Sequence, residues 1–236
     1  MTFSEIISYI WSVRGLVFQS LGISLLIAAG AIVIGFIIGV VLAVIRIAPK
    51  NNIVVKVLDK IAQGYIAIIR GTPTMVQLLI MYSSIMVGFK NFETNILVPI
   101  VAFGINSGAY MAEIIRSGIN SVDIGQIEAG RSVGLSWVTT MRKIVIPQAI
   151  KVVIPTIFNE IIVLVKETSV VSVIALRIGG DQKWDLLGLT SKMANAKPAT
   201  YNAFLYTAAA LYLIVVLLLT FVQKRLEKRM KKNERK

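Results

Sequence analysis

The carboxylate of Glu160 sits about ten residues into an apolar run, within NEIIVLVKETSVVSV, with no cation three or four positions to either side. An ionised group at that depth of a membrane helix costs at least ~2.5–3.5 kcal/mol on insertion scales, so it is expected to have a task. The task it suits is to balance a cation carried into the membrane. Glu167 follows seven residues later on the same helical face, while Lys166 points elsewhere. Lys166 is expected to pair with a carboxylate on a neighbouring helix, such as Glu113. Neutral polar groups able to add hydrogen bonds within the apolar runs are Asn159, Gln77, Asn106, Ser107 and Tyr110. In NSGAYMAEIIRSG, Asn106, Tyr110 and Glu113 are spaced by four and three, so they share a face that must look into protein or water. Glu113 and Arg116 are three apart and are expected to satisfy each other near the inner end of that helix.

RGTPT, residues 70–74, offers a second kind of site. Thr72 is a good N-cap and Pro73 suits the first helical position, so a helix is expected to start here. Its uncharged length of about 16 residues to Phe89 is short for a span, which needs roughly 20. Its N-terminus therefore belongs within the membrane profile, covered by protein rather than lipid. The positive end of such a helix can hold a carboxylate. Gly71 and Pro73 making no more than a bend is an equal alternative.

Other chemistry is excluded by what the chain lacks. It has no cysteine and no histidine, which removes disulfides, thiol nucleophiles, histidine-ligated haem and zinc sites built from these residues. No G-x-x-x-x-G-K-[ST] loop is present to cradle nucleotide phosphates. G-x-S-x-G is missing too, and a Ser-His-Asp triad needs a histidine. The carboxylates are scattered and lack ligand-like neighbours. No catalytic residue, no metal site and no cofactor of the chain's own are expected, and an enzyme is a poor reading.

The elements that must position these groups are apolar helices. Of 236 residues 56% are hydrophobic and only 16% charged, against about 25% charge in soluble domains. Charges are absent between Arg14 and Arg46, from Gly71 to Phe89, from Thr94 to Ala112 and from Pro198 to Gln223. A fifth run, Ile150 to Leu176, is as apolar but, beyond Lys151 at its edge, holds Glu160, Lys166 and Glu167. The expected fold is all-α: one polytopic membrane domain over 1–236 with spans at about 16–45, 72–89, 96–117, 150–175 and 199–223. Gly35 and Gly39 in the first span have the small-xxx-small spacing of close helix packing, expected inside one subunit rather than at a dimer seam. Apolar positions alternate with Lys56, Asp59, Lys60 and Gln63 over 53–69 as in an amphipathic helix at the inner interface. Ile6, Ile7, Tyr9 and Ile10 read as an interfacial helix leading into the first span, not as part of a signal peptide.

The net charge of +13 is distributed as a topology signal. With the basic tail KRLEKRMKKNERK (224–236) inside, the segments 46–60 and 116–151 also lie inside, and the three inner segments carry 17 Lys and Arg. The N-terminus and the loops at 88–95 and 176–197 then lie outside with 6. Cytoplasmic loops are the ones enriched in cations, so the N-terminus is expected outside and the C-terminus in the cytoplasm. A nucleic-acid-binding tail is the minor alternative.

Between the third and fourth spans, about 120–147, lies IEAGRSVGLSWVTTMRKIVIP. Asp123 can cap a helix through Val133, with Gly134 as its left-handed stop. Ser136 is expected to cap a second helix that Pro147 closes. Ala129, Gly130 and Val133 make a small-residue face, with Glu128 and Arg131 for ion pairs at its rim. An interfacial anchor would carry bulky apolar residues instead, so this segment is expected to dock in a groove of a cytoplasmic partner.

These residues resemble the EAA loop of bacterial ABC-importer permeases, whose pattern is E-A-A, three residues, G, nine residues, then I-x-L-P. Glu128, Ala129, Gly130, Gly134, Ile144, Ile146 and Pro147 occupy those places, with Gly130 and Ile146 as conservative departures. RGTP (70–73), AYMAEIIRSGI (109–119) and LVKETSVVSVI (164–174) are similar to motifs of the polar amino-acid importers, and the likeness covers about 16–223. The resemblance implies the type I importer permease fold and a cell inner membrane location. It implies a complex of two permease subunits, expected to be copies of this chain, with two ATPases that carry ATP and Mg. A helix of the loop would be the coupling helix, and an extracytoplasmic binding protein would deliver the amino acid. Glu160 points to a basic amino acid (arginine, lysine or histidine), with a neutral or acidic one such as glutamine or glutamate as the alternative. A channel or membrane scaffold without ATP coupling is the alternative of another class, and it has no use for a coupling helix. An exporter is disfavoured because the loop pattern belongs to importers.

Overall fold

The computed structural model describes residues 2–88, 95–178 and 181–232. The chain is almost wholly helical. It begins with α1 (Phe3–Ser12), held at its start by a capping box in which Thr2 and Glu5 satisfy each other's backbone amides. There follow α2 (Arg14–Ile47), α3 (Ile53–Gly71), α4 (Thr74–Gly88) and α5 (Leu97–Asn120). Next come α6 (Ile124–Ser132), α7 (Trp137–Thr140), α8 (Ile146–Glu167), α9 (Leu186–Ala196) and α10 (Tyr201–Lys232). The strands β1 (Arg177–Ile178) and β2 (Asp181–Gln182) are two residues each and pair antiparallel.

Among the described residues four helical stretches are long and apolar enough to cross a membrane: Arg14–Ile47, Leu97–Asn120, Trp137–Val173 and Pro198–Met230. A fifth span results when Ile53–Gly71 and Thr74–Ile85 count together as one broken span. This refines the expected span at 72–89. α4 alone has 15 residues, about 22 Å at 1.5 Å per residue, short of the ~30 Å hydrocarbon core. The far end of that span and the loop expected at 88–95 fall on residues 89–94, outside the described residues.

The contacts divide the chain into two compact units. The first comprises Met1–Ile34, Thr72–Gly104 and Ile161–Leu219; the second comprises Gly35–Gly71, Ile105–Glu160 and Thr220–Lys236. In the first unit Ile23, Ile27, Leu78, Phe103, Leu164 and Val171 form a buried cluster. A further cluster there packs α1 and α2 against α9 and α10 through Val17, Leu189, Met193 and Phe204. In the second unit α3 lies on α5 through Ile66, Ala109 and Ala112.

Glycine sets how near α2 and α5 come. In the first unit a Cβ on Gly30 would stand 2.9 Å from Ile100, and one on Gly104 would meet Ile34 at 2.6 Å. In the second, a Cβ on Gly35 would stand 2.9 Å from Ser107 Cβ, and one on Gly39 would overlap Met111 and lie 3.0 Å from the Ala112 backbone nitrogen. The Gly35–Gly39 spacing therefore serves packing within one subunit, as expected. Lipid supplies no hydrophobic force between helices, so this close fit is a main source of their association.

Three local features depart from the sequence expectations. Pro147 does not close a helix. α7 continues through a π-helical turn at Met141–Val145 into α8, and on through a 3₁₀ segment to Val173. The wide turn lies just where a proline ring would clash with the carbonyl four residues back, so it removes the reason to stop. Pro73 rather than Thr72 supplies the carbonyl that opens α4, accepting from Val76 and Gln77. The segment 176–197, read as a loop, contains α9 (Leu186–Ala196). Asp185 caps α9, accepting from Leu187 at 3.0 Å and Gly188 at 3.2 Å, and the Leu186 amide donates to Ser24 Oγ at 3.0 Å.

Two outcomes follow. Gly39→Ala is expected to lower the thermal unfolding midpoint in detergent, at an overpacking cost of about 1–3 kcal/mol. Gly64→Ala, with nothing within 4 Å of its new Cβ, should leave the midpoint unchanged or raise it. Burial pushes the Asp185 carboxyl from 3.8 up to about 6, against the pull of the Gly188 and Leu187 amides. The folded state therefore holds this proton more tightly than the unfolded chain. The sign is then that α9 is most stable below pH ~4, loses protection as pH rises to ~6 and is flat above. Hydrogen exchange over 186–196, corrected for intrinsic rates, should show that decline, and Asp185→Asn should abolish it.

Candidate functional site

The residues singled out for a cargo divide between the two units. In the second unit, α5 and α8 bring Ser107 and Glu160 together: the Ser107 hydroxyl donates to Glu160 Oε1 at 3.2 Å. Ser107 is fully buried and Asn106 nearly so, while Glu160 and Tyr110 are half-buried. Gly35 makes this possible, because any side chain there would press on the Ser107 Cβ and Oγ. The Arg70 guanidinium stacks over the Tyr110 ring at 5.2 Å, a neighbour of Tyr110 that sequence spacing did not single out.

Asn159 turns another way. Its amide oxygen accepts from Gln223 Nε2 of α10 at 3.0 Å. Gln223, 8% exposed, also donates to the Pro155 carbonyl at 3.3 Å and Glu227 Oε1 at 3.0 Å. Gln223 closes an uncharged stretch and gave no sign in the sequence beyond its polarity. In the first unit, Gln77 Nε2 reaches back to Thr72, 2.7 Å from Oγ1 and 3.2 Å from the carbonyl. Thr72 and Gln77 thus form a polar clasp across the start of α4.

The charged residues of the spans settle as follows. Glu113 and Arg116 form the expected pair, closed by two hydrogen bonds of which Arg116 Nε to Oε2 is 3.0 Å. Lys166 is exposed and Glu167 half-buried. Glu113, the carboxylate on a neighbouring helix expected to pair with Lys166, is closed on Arg116 instead.

The loop at 120–147 is built as a stiff joint. Asp123 caps α6 by accepting from Gly125 at 2.7 Å. At the other end the Leu135 amide bonds the Gly130 carbonyl and the Gly134 amide the Arg131 carbonyl. That is the Schellman arrangement, and it needs the left-handed φ of +84° that Gly134 adopts. Arg131 Nη1 adds a bond to the Leu135 carbonyl at 2.7 Å. Ser136 then caps α7 by accepting from the Thr139 amide at 3.2 Å.

The small-residue face of α6 is split by the fold. Gly130 is buried, and a Cβ there would come within 2.9 Å of Thr140 and 3.0 Å of Ile144. Ala129 and Glu128 are exposed, and Ile124 and Val133 are 69% and 76% exposed. Gly130 therefore seats α6 on the following helix, and the outward apolar surface is made by Ile124, Ala129 and Val133. Ile124 precedes the recognised motif, which is why it escaped notice.

Apolar spans with buried polar side chains between α5 and α8 define an integral membrane protein. Residues 35–232 match the family model of the binding-protein-dependent transport system inner membrane component, and the chain belongs to that family. It is 36% identical over 222 residues to the arginine transport system permease protein ArtQ of Bacillus subtilis (strain 168), covering 92% of this chain and 94% of that protein. It is 35% identical over 204 residues to the putative glutamine transport system permease protein GlnP of Rickettsia bellii (strain RML369-C), covering 85% and 86%. Among solved structures it resembles a chain of an amino acid ABC transporter crystallised with histidines, at a TM-score of 0.83 and 33% identity over 97% of this chain and 99% of that one. The chain is thus a transport permease of the type I importer fold and not a catalytic enzyme. The channel or scaffold reading is set aside.

Proposed function

We propose that this chain forms the translocation pathway of an ATP-driven amino-acid importer whose cargo is a basic amino acid. The observation that carries the reading is the Glu160 carboxylate held beside the buried Ser107 hydroxyl, within 3.2 Å, between two membrane helices. A cationic side chain entering the membrane loses its hydration and needs a countercharge, and a carboxylate already placed at depth supplies it without reorganisation. The similarity to an arginine permease and to a transporter solved with histidines supports this choice. Similarity to a glutamine permease supports the neutral alternative.

In the first unit, the start of α4, where Thr72 and Gln77 present a hydroxyl and an amide at the helix's positive end, suits a carboxylate. Asn106, Ser107 and Tyr110 add neutral hydrogen bonds, whereas Asn159 is turned to Gln223. The functional complex pairs two copies of this chain with two ATPase subunits, and an extracytoplasmic binding protein hands over the amino acid. The N-terminus lies outside and the C-terminus in the cytoplasm, on the strength of the cation asymmetry. ATP binding draws the ATPases together, α6 moves with its groove, and the spans alternate between inward-open and outward-open forms.

Two measurements test this. Glu160→Gln keeps the shape and removes the charge. It should reduce arginine uptake at least tenfold, the scale of about 1.4 kcal/mol or more for a lost buried ion pair, while assembly with the ATPase is unchanged. Undiminished arginine uptake would remove Glu160 as the counterion of the cargo, and wild-type uptake of glutamine but not arginine would replace the basic cargo by a neutral one. Val133→Asp puts a charge on the outward face of α6, and should abolish amino-acid-stimulated ATP hydrolysis while the permease still reaches the membrane. Normal stimulation would remove α6 from the coupling role.

A further inference from the structure

Two cavities of the second unit share a wall. One, of about 290 Å³, is polar and takes Arg46, Lys50, Asp59, Arg116, Asn120 and Trp137 into its lining. The other, of about 380 Å³, is lined by apolar side chains alone, among them Phe36, Val40 and Val44 of α2, Ile115 of α5, and Ile150 and Ile157 of α8. Ile47 and Ile119 line both, so the polar pocket borders the apolar groove.

The polar pocket carries positive charge that its own carboxylate does not cancel. Arg46 and Lys50 both close on Asp59, at 3.1 Å and 3.0 Å, and Arg116 is matched by Glu113. Two cations therefore share one anion. Arg46 Nε is moreover buried with no hydrogen-bond partner among the described residues. A buried charged donor left unmade is costly, so an acceptor brought to it is stabilising.

We propose that these two cavities are one site for an anionic phospholipid, with its phosphate at Arg46 and Lys50 and an acyl chain in the groove between α2, α5 and α8. The chemistry of each half demands this pairing. A soluble anion would satisfy the cations and leave the groove bare; a neutral lipid would fill the groove and leave the charge. The length agrees as well. Ile146 to Ile157, the stretch of α8 that lines the groove, rises about 16 Å at 1.5 Å per residue, close to the ~15 Å of one leaflet's share of the hydrocarbon core. The pocket also takes Ile127 of α6 and Met141 of the π-helical turn into its wall. The headgroup would thus bridge the ends of the spans and the joint beyond them. The leaflet, the cytoplasmic one, rests on the orientation proposed above; the site does not.

The experiment is native mass spectrometry of the purified transporter complex, titrated in detergent with phosphatidylglycerol or phosphatidylcholine of identical chains. Wild type should bind phosphatidylglycerol about tenfold or more tightly than phosphatidylcholine, the scale of one charge-assisted contact. Lys50→Ala should bring phosphatidylglycerol to the phosphatidylcholine level, Lys50→Arg should restore it, and Lys56→Ala should change nothing. Val44→Trp, at a groove position 56% exposed, should weaken both lipids. Excess inorganic phosphate should not displace the bound lipid. Equal binding of the two lipids, displacement by phosphate, or retention undiminished in Val44→Trp would each overturn the site. So would a groove closed by the second copy of the chain, seen as a dimer that binds no lipid at all. Amino-acid-stimulated ATP hydrolysis of the same preparation reports separately on the importer reading.

Discussion

Everything in the second unit hangs on how closely α2 and α5 approach. Gly35 leaves room for Ser107, Gly39 for Met111, and Gly108 for Ile38. In water such contacts would be reinforced by apolar burial, but in a bilayer the tails solvate leucine as well as a neighbouring helix does. What remains is surface fit, and only residues without a side chain permit backbones this near. The fit has a chemical consequence as well as a mechanical one. It seats Ser107 where its hydroxyl can donate to Glu160, so the one carboxylate singled out for the cargo is oriented by glycines on a helix to which it does not belong.

The polar residues around that pair follow a single economy. A buried polar group in this environment must be bonded, because no water is there to substitute. The Tyr65 hydroxyl accordingly donates to the Ile105 carbonyl, and Gln223 spreads its amide over Pro155, Asn159 and Glu227. Pro155 deprives α8 of one backbone bond, and Thr156 returns its hydroxyl to the Val152 carbonyl at 3.1 Å in the same turn.

How much of this was legible in the sequence depended on whether the signal was local. Helices with long uncharged runs announced themselves, and so did the caps: Asp123, Ser136 and Gly134 act as their residue types dictate. The Glu113–Arg116 pair needed only a spacing of three. Pro147 misled, because a proline marks a helix end unless the chain widens its turn, and the π turn at Met141–Val145 has no signature in residue type. α9 was hidden for a different reason. Its cap Asp185 is ordinary in a loop, and what makes it a helix start inside a core is burial against residues distant in sequence, such as Ser24. The division of the α6 face could not be read at all, since only the packing of Thr140 and Ile144 on Gly130 shows which small residue is turned inward.

Under the proposed docking, the route from the joint to the cargo is short and mostly rigid. α6 is locked to the helix after it by Gly130, by the bonds of Leu135 and Gly134, and by Arg131. That helix is continuous from Trp137 to Val173, so Glu160 lies 23 residues along the same rod from its start, about 35 Å at 1.5 Å per residue. A rod transmits a displacement at its end undiminished unless it contains a compliant turn. This one contains two, the π segment before Ile146 and the proline at 155, where the backbone ladder is weakest. Both lie between α6 and Glu160. A push at the joint is therefore not delivered as a plain translation of the carboxylate; it can be taken up as bending at either turn, which would tilt the Glu160 segment relative to Ser107. Such a tilt would lengthen the 3.2 Å bond between them.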